Sequence, residues 1–351
     1  MRTVRHNKVC EFEDFADPEL AATIREVFPH EMQHFTPEFP KGAEYRKYWE
    51  VAMSVRAMRH CGILRPDAQI LGVGAGTETT IFFLTNHVQR VVATDLYVGA
   101  GGWDQSAPWR MLVSPDAFAP YPYHRERLIV QHMDGRRLFL PDDAFDAIFS
   151  SGSIEHFGSM QSIASAAYEM GRVLRPGGVL TLSTEYRIRG PEGADGWDGL
   201  RFFSREALQR YIAEASGLEP IDEFDDSISV KTMASTRPWS FYGRDSRRAL
   251  RAQGKFPRIA EVVWSAYPHL VLEDMGYTWG SVHLALRKTD RYPSADNDWA
   301  KPSAELLTSI AGAEGGLRLG AGSPGFVRRN SDRAVRLAKR GMRRAATALK
   351  S

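Results

Sequence analysis

The stretch Gln69-Ile70-Leu71-Gly72-Val73-Gly74-Ala75-Gly76-Thr77-Glu78 constrains the fold more than any other part of the chain. An apolar run breaks into three glycines at alternate positions and resumes as helix-compatible sequence from Thr77. A strand that ends in glycines lets the backbone approach a ligand closely, because no side chain intervenes and positive φ costs little. The helix that follows directs its unpaired N–H groups at whatever occupies the turn. A second apolar run, Val91-Val92-Ala93-Thr94, ends in Asp95, 19 residues after Gly76. A carboxylate at the tip of the second strand suits a ribose diol, so the pattern points to a nucleoside-bearing cofactor.

Dinucleotide sites favour G-x-G-x-x-G/A, where the last small residue permits tight helix–strand packing. Here the spacing is G-x-G-x-G, which argues against NAD or FAD. Later segments extend the alternation of strand and helix. Arg127–His132 reads as a third strand ending in Met133-Asp134-Gly135, and Phe145–Ser150 as a fourth. Met160–Leu174 has helical periodicity, and Arg175-Pro176-Gly177-Gly178 turns it into a fifth strand, Val179–Thr184.

Taken together, these motifs resemble the class I S-adenosylmethionine-dependent methyltransferases, in particular the branch containing the ubiquinone and menaquinone biosynthesis methyltransferases. The resemblance covers roughly residues 45–290 and rests on the glycine turn, Asp95, Met133-Asp134-Gly135, the Phe145–Ser150 strand and the Arg172–Gly178 turn. It implies an α/β, doubly wound, Rossmann-like sheet of seven strands with an antiparallel last strand, and S-adenosyl-L-methionine as cofactor. It further implies that Gly72, Gly74 and Gly76 approach the methionine part of the cofactor and that Asp95 holds both ribose hydroxyls. Asp134, flanked by Met133 and Gly135, would receive the adenine amino group, and Ser150 and Ser151 would line the methyl-donor pocket. One departure matters. The family carries an acid two positions before the first glycine, and Ile70 stands there in this chain. The ammonium of the cofactor then needs another anion, for which Glu78 and Glu50 are the candidates. Glu78 is equally explained as a first-turn carboxylate favouring the helix dipole.

The 351 residues allow one elaborated domain with appendages, or two domains. We expect an N-terminal helical or lid segment over 1–42, a methyltransferase domain over 43–288 with an aromatic-rich insertion at 225–278, a linker over 289–326 and a basic tail over 327–351. Helices are expected at 43–61 and 205–216, a strand near 219–224, and a final strand over 280–286. With no run of about 18 apolar residues and no apolar segment after the first residues, the expected location is cytoplasmic. Two cysteines, Cys10 and Cys61, lack metal or disulfide spacing.

Transfer of a methyl group to a hydroxyl needs a base, because the neutral oxygen is a poor nucleophile. The segment after the fourth strand, Ser151-Gly152-Ser153-Ile154-Glu155-His156-Phe157, would sit beside the methyl donor. We take His156 as the candidate base and Glu155 as its orienter; the bland alternative is a histidine satisfied by a backbone carbonyl. Glu185, Tyr186 and the Gly196-Trp197-Asp198-Gly199 turn would form the acceptor rim. His30-Glu31-Met32-Gln33-His34 matches the H-E-x-x-H zinc pattern. It is confined between Pro29 and Pro37 with no third ligand, so it reads as a pocket rim and no metal is expected. The expected acceptor is a small molecule or a glycan sugar methylated at oxygen. The alternatives are N- or C-methylation, or a non-catalytic cofactor-binding module recruited through its tail.

Charge is distributed unevenly. Residues 327–351 hold nine Lys or Arg and one Asp, which leaves the other 326 with 36 basic and 42 acidic groups. An acidic body argues against nucleic acid as the partner. In the tail, Val335, Ala338, Met342, Ala345 and Leu349 form one apolar stripe among arginines and lysines. Such a helix can attach weakly to an anionic inner-membrane face or to a protein partner.

Overall fold

The computed structural model describes residues 4–30, 46–98, 106–191, 195–197, 199–238 and 270–289. The basic tail, residues 290–326 of the linker, residues 239–269 of the insertion and His34 lie outside the described residues.

Seven strands carry the frame: β1 (Gln69–Val73), β2 (Arg90–Asp95), β3 (Leu128–His132), β4 (Phe145–Ser151), β5 (Leu174–Arg189), β6 (Val271–Asp274) and β7 (Tyr277–Arg287). Their spatial order is β3-β2-β1-β4-β5-β7-β6. Every pair from β3 to β5 is parallel, whereas β7 runs antiparallel to both of its neighbours. The chain therefore builds outward from β1 to β3, then returns to lay β4 on the other side of β1. That reversal opens a crevice outside the carboxyl ends of β1 and β4, the usual ligand position in an open α/β sheet.

The four principal helices are α1 (Pro18–Val27), α2 (Arg46–His60), α3 (Thr79–Thr85) and α4 (Met160–Val173). Local chemistry sets their starts. Asp17 accepts a hydrogen bond from the Leu20 amide at 2.8 Å with Pro18 as the first helical residue, and Ser159 accepts from the Ser162 amide at 3.2 Å. The period of two along each strand divides the core. On one face Ile70, Ala93 and Phe149 pack with α1, α2 and α3; on the other Leu71, Val73 and Ile148 pack with α4 and the helical stretch 205–214.

Three expectations change. The sheet has ten strands among the described residues, not seven, because three two-residue strands join it. The strand expected near 219–224 contracts to Glu219–Pro220 and occupies only Leu286–Arg287 on the outer edge of β7. Lys8–Val9 takes the next length of that edge at Val282–His283, and β6 takes Tyr277–Gly280. An exposed strand edge is a liability, and here three short segments cover it. Of the residues before α2, Lys8–Val9 joins the main sheet, and Leu20, Ile24 and Val27 of α1 pack with Val51, Val55 and Met58 of α2 in its core. Finally, Gly72 lies inside β1, paired with Ala93 and Phe149, so the turn itself begins at Gly74.

Candidate active site

The turn after β1 is shaped by its own neighbours. Gly74 and Gly76 have φ of 64° and 49°, which disfavours any larger residue. A Cβ on Gly74 would come within 2.5 Å of Ser153 Oγ, and one on Gly76 within 2.5 Å of the Ser106 carbonyl oxygen. Gly72 is required for a different reason: a Cβ there would strike the Phe149 ring at 2.5 Å. Tyr97 Oη donates to the Gly76 carbonyl at 2.8 Å and fixes the turn from the β2 side. Sheet pairing places Gly72 inside β1, two residues after Ile70, the position expected to carry the family's acid. Neither supplies a carboxylate.

Asp95 stands at the tip of β2. Its Oδ2 accepts from the Gly76 amide at 2.8 Å and its Oδ1 from the Leu96 amide at 2.6 Å. Each oxygen keeps a second lone pair for a ligand hydroxyl. Burial raises this carboxyl above its ordinary range, opposed by the two amides and by His132. Asp134 is arranged otherwise. Arg136 engages both of its oxygens, with Nη2 to Oδ2 at 2.7 Å and Nε to Oδ1 at 3.0 Å, while the Arg136 amide also donates to Oδ1 at 2.9 Å. An adenine amino group would have to share that carboxylate with a guanidinium. Gly135 accommodates Phe157, whose ring a Cβ would meet at 2.7 Å, and Met133 is anchored by its amide to the Asp95 carbonyl at 3.0 Å.

Across the crevice, α2 and the ends of β4, β5 and β7 bring charged groups together. Lys47 donates to the Ser151 carbonyl at 3.1 Å and pairs with Glu50 at 2.5 Å. Glu50 accepts from Ser281 Oγ of β7. Arg46 pairs with Glu185 at 2.7 Å. Glu155 Oε2 accepts from Thr184 Oγ1 at 2.9 Å, and Glu78 Oε1 accepts from Thr80 Oγ1 at 3.0 Å. Ser150 Oγ shares a hydrogen bond with Ser153 Oγ at 2.9 Å. Gly152 has no Cβ where Lys47 Nζ approaches, with Glu50 and Glu155 next to it.

The electrostatics follow from crowding. Burial pushes Glu78, Glu155 and Glu185 up to about 7, with Lys47 drawing each of them down and Arg46 acting on Glu185. Burial acts on Glu50 in the same direction, but Lys47 and Arg46 outweigh it and hold that carboxyl below its usual range. Such a set suits a cationic or hydroxylated group, while Lys47 suits a carboxylate.

His156 follows β4 on a single 3-10 turn, Ile154–His156. Its Nδ1 is 2.6 Å from the Gly199 carbonyl oxygen. A carbonyl only accepts, so Nδ1 carries the proton and Nε2 is the basic nitrogen. Burial lowers the pKa of this ring; the Gly199 bond and Glu185 raise it and Lys47 lowers it. The group that orients Nδ1 is therefore Gly199 and not Glu155, whose carboxylate turns to Thr184 instead. Sequence reasoning missed Arg46, Lys47, Thr184, Tyr97 and Ser281, because nothing in their local pattern marks them.

His30 packs its ring against Tyr121 and Phe28 at centroid distances of 5.6 and 6.2 Å. Among the described residues, no three His, Cys, Asp or Glu side chains form a metal-holding group, and no helix is long and apolar enough to cross a membrane.

Comparison with known proteins finds a family match over part of the chain. Residues 71–182 match the model described as a methyltransferase domain. Solved structures with a similar chain include the geranyl diphosphate C-methyltransferase from Streptomyces coelicolor A3(2), at 15% identity, with 82% of this chain and 92% of that chain covered and a TM-score of 0.43. An S-adenosylmethionine-dependent methyltransferase from Mesorhizobium loti gives 17% identity, coverage of 66% and 96%, and a TM-score of 0.38. The [4+2]-cyclase SpnF gives 19%, coverage of 82% and 99%, and 0.44. No curated protein matches the chain. The family match runs through the glycine turn, Asp95, Asp134 and His156, and it supports a methyltransferase enzyme.

Proposed function

We propose that this protein is an S-adenosylmethionine-dependent methyltransferase that acts on a hydroxyl of a small or medium acceptor, a natural product or a glycan sugar. The branch of the ubiquinone and menaquinone enzymes is the finer assignment we favour. The residues present fit the cofactor. Asp95 offers two oriented oxygens to a diol, Glu50 and Glu78 offer anions for an ammonium, and Lys47 offers a cation for a carboxylate. When bound, the cofactor supplies an electrophilic methyl group on a sulfonium. The chain's part is to hold the acceptor oxygen in line, where orientation contributes on the order of 7–11 kcal/mol, and to take its proton at Nε2 of His156.

The observation that carries the proposal is the fixed Nδ1–H of His156, which makes Nε2 basic on a loop beside the glycine turn. A second reading has specific support: burial raises Glu155 and Glu185 to about 7, which makes them better proton acceptors for an amine and would suit N-methylation. Purified protein incubated with S-adenosylmethionine and fractionated small molecules tests the activity by formation of S-adenosylhomocysteine. No product above the no-protein control with any fraction would leave the binding module as the better account.

The tail reading stands as a proposal as well. Co-sedimentation of full-length protein with anionic vesicles, lost on truncation after Gly325 and released by salt, is the expected result. Equal behaviour of both chains would end it.

A further inference from the structure

The hydrogen-bond partner of His156 belongs to a small unit with its own core. Two short strands, Gly196–Trp197 and Leu200–Arg201, pair antiparallel as an excursion between β5 and the helical stretch that starts at Arg205. Trp197 stacks edge-on against Phe202, Tyr277 and Trp279 at centroid distances of 5.0, 5.6 and 5.7 Å. Phe202, Tyr277 and Trp279 are buried together in a cluster separate from the two main cores. Tyr277 Oη of β7 fastens this excursion at its base, donating to the Gly196 carbonyl at 3.1 Å and accepting from the Gly196 amide at 3.3 Å.

The excursion reaches the loop after β4 at two points that bracket the candidate base. Gly199 takes the Nδ1 proton of His156, and Arg201 Nε donates to the Gly158 carbonyl at 3.0 Å. Neither bond is required to close the excursion or the loop. Gly199 itself has φ of 85° with nothing near its Cβ position, so its glycine serves backbone direction and not packing. That direction is what presents the carbonyl oxygen to the imidazole.

We propose that the 196–201 hairpin is a positioning device that imposes the Nδ1–H tautomer on His156, with Tyr277 and Arg201 as its positioning residues. Which ring nitrogen of a neutral histidine is basic depends on the bond the other one makes. A hairpin that withholds Gly199 leaves both tautomers accessible and the ring free to turn. The inference rests on the base reading of His156, but it makes a claim about the tautomer that holds without turnover. Lys47 and Glu185 also face His156 electrostatically, and neither is altered by changing the hairpin.

The test is long-range proton–nitrogen NMR on full-length protein labelled at histidine nitrogen, with the His156 signals identified by their loss in His156→Gln. In the unmodified protein above neutral pH, we expect Nδ1 to be protonated and Nε2 to have the shift of an unprotonated nitrogen. Tyr277→Phe, which keeps the ring and removes the anchor, should move both nitrogens toward averaged values. Arg201→Ala should do so to a lesser degree. Calorimetric binding of S-adenosylhomocysteine within about twofold of the unmodified protein would show that each variant is folded around its cofactor region. An Nε2–H tautomer in the unmodified protein would overturn the proposal. So would a pure Nδ1–H tautomer in both variants. Full turnover in His156→Ala, by contrast, would remove the base reading and leave the tautomer result standing.

Discussion

The two sides of the crevice are made by different means. On the β1–β2 side, the side chains of Asp95 and Tyr97 hold the amide and the carbonyl of Gly76, about 20 residues away in the chain. Across from it, the polar set of Lys47, Glu50, Glu155, His156, Glu185 and Ser281 comes from a helix, a loop and two strands, with Glu50 and its partner Ser281 separated by 231 positions. The first side is stiff and nearly complete in itself. The second is a set of mutually dependent ion pairs, so its protonation is negotiated among its members. Substitutions should therefore act locally on the first side and electrostatically on the second.

The largest effect is expected on the second side. His156→Ala should lower kcat on a hydroxyl acceptor about 100-fold while cofactor affinity holds. A parallel loss of both in calorimetry and initial-rate assays would assign His156 to packing. On the first side, Asp95→Ala removes a charged acceptor from a diol, for about 2 kcal/mol or roughly 30-fold in Kd. Calorimetry with S-adenosylmethionine reads this directly, and an unchanged Kd would break the placement of the ribose. Asp134→Ala should cost less than about tenfold, because its oxygens are already engaged by Arg136. A loss equal to that of Asp95 would show that Arg136 yields to the ligand.

The smallest effect concerns pH and sharpens the contrast further. Burial raises the folded-state pKa of Glu155 to about 7 from an ordinary 4.5. Its contribution to stability is therefore present below about pH 4.5 and is lost as pH rises toward 7. Glu155→Gln does not titrate, so its melting temperature relative to the unmodified protein should rise by a few °C from pH 5 to pH 8. At the far end of α2 the sign reverses. Burial lowers His6 to about 4 and His283 to about 3, from an ordinary 6.5. Stability from these rings is intact above about pH 6.5 and falls on acidification toward those values. The deficit of His283→Asn should accordingly shrink as pH drops from 7 to 5. Calorimetric melting at several pH values checks both, and parallel curves would mean the buried groups are solvated.

The same contrast explains what the sequence made legible. Strands β1 to β5, α4 and the crevice announce themselves through alternating apolar residues, glycines at the turn and a carboxylate at the tip of β2, all signals contained in short windows. The outer edge of β7 does not, because Lys8–Val9 and Glu219–Pro220 are too short to carry a period and are held by partners more than 65 residues away. Glu155 was assigned to His156 by adjacency, but residues one apart on a tight turn diverge, and a carbonyl 43 positions later takes the role. The extent of β1 is hidden for a related reason: only the pairing of Gly72 with Ala93 and of Val73 with Thr94 shows that the strand runs past Leu71 before it turns.

The shared edge of β7 also sets a timetable. Lys8 and Val9 are made well before the backbone they pair with, Val282 and His283, which follows some 270 residues later. Until then Lys8 and Val9 have no β7 to join, and Asn7, which donates to Asp222 and accepts from the Ala285 amide, has only the first of these two anchors. Pairing among β1 to β5 spans shorter separations, so closing the outer edge of β7 is expected to come after it, when Lys8–Val9 and the last strand can meet. Chains that stop short of β7 would be left with their beginning unfastened, which is the state a quality-control protease is equipped to find.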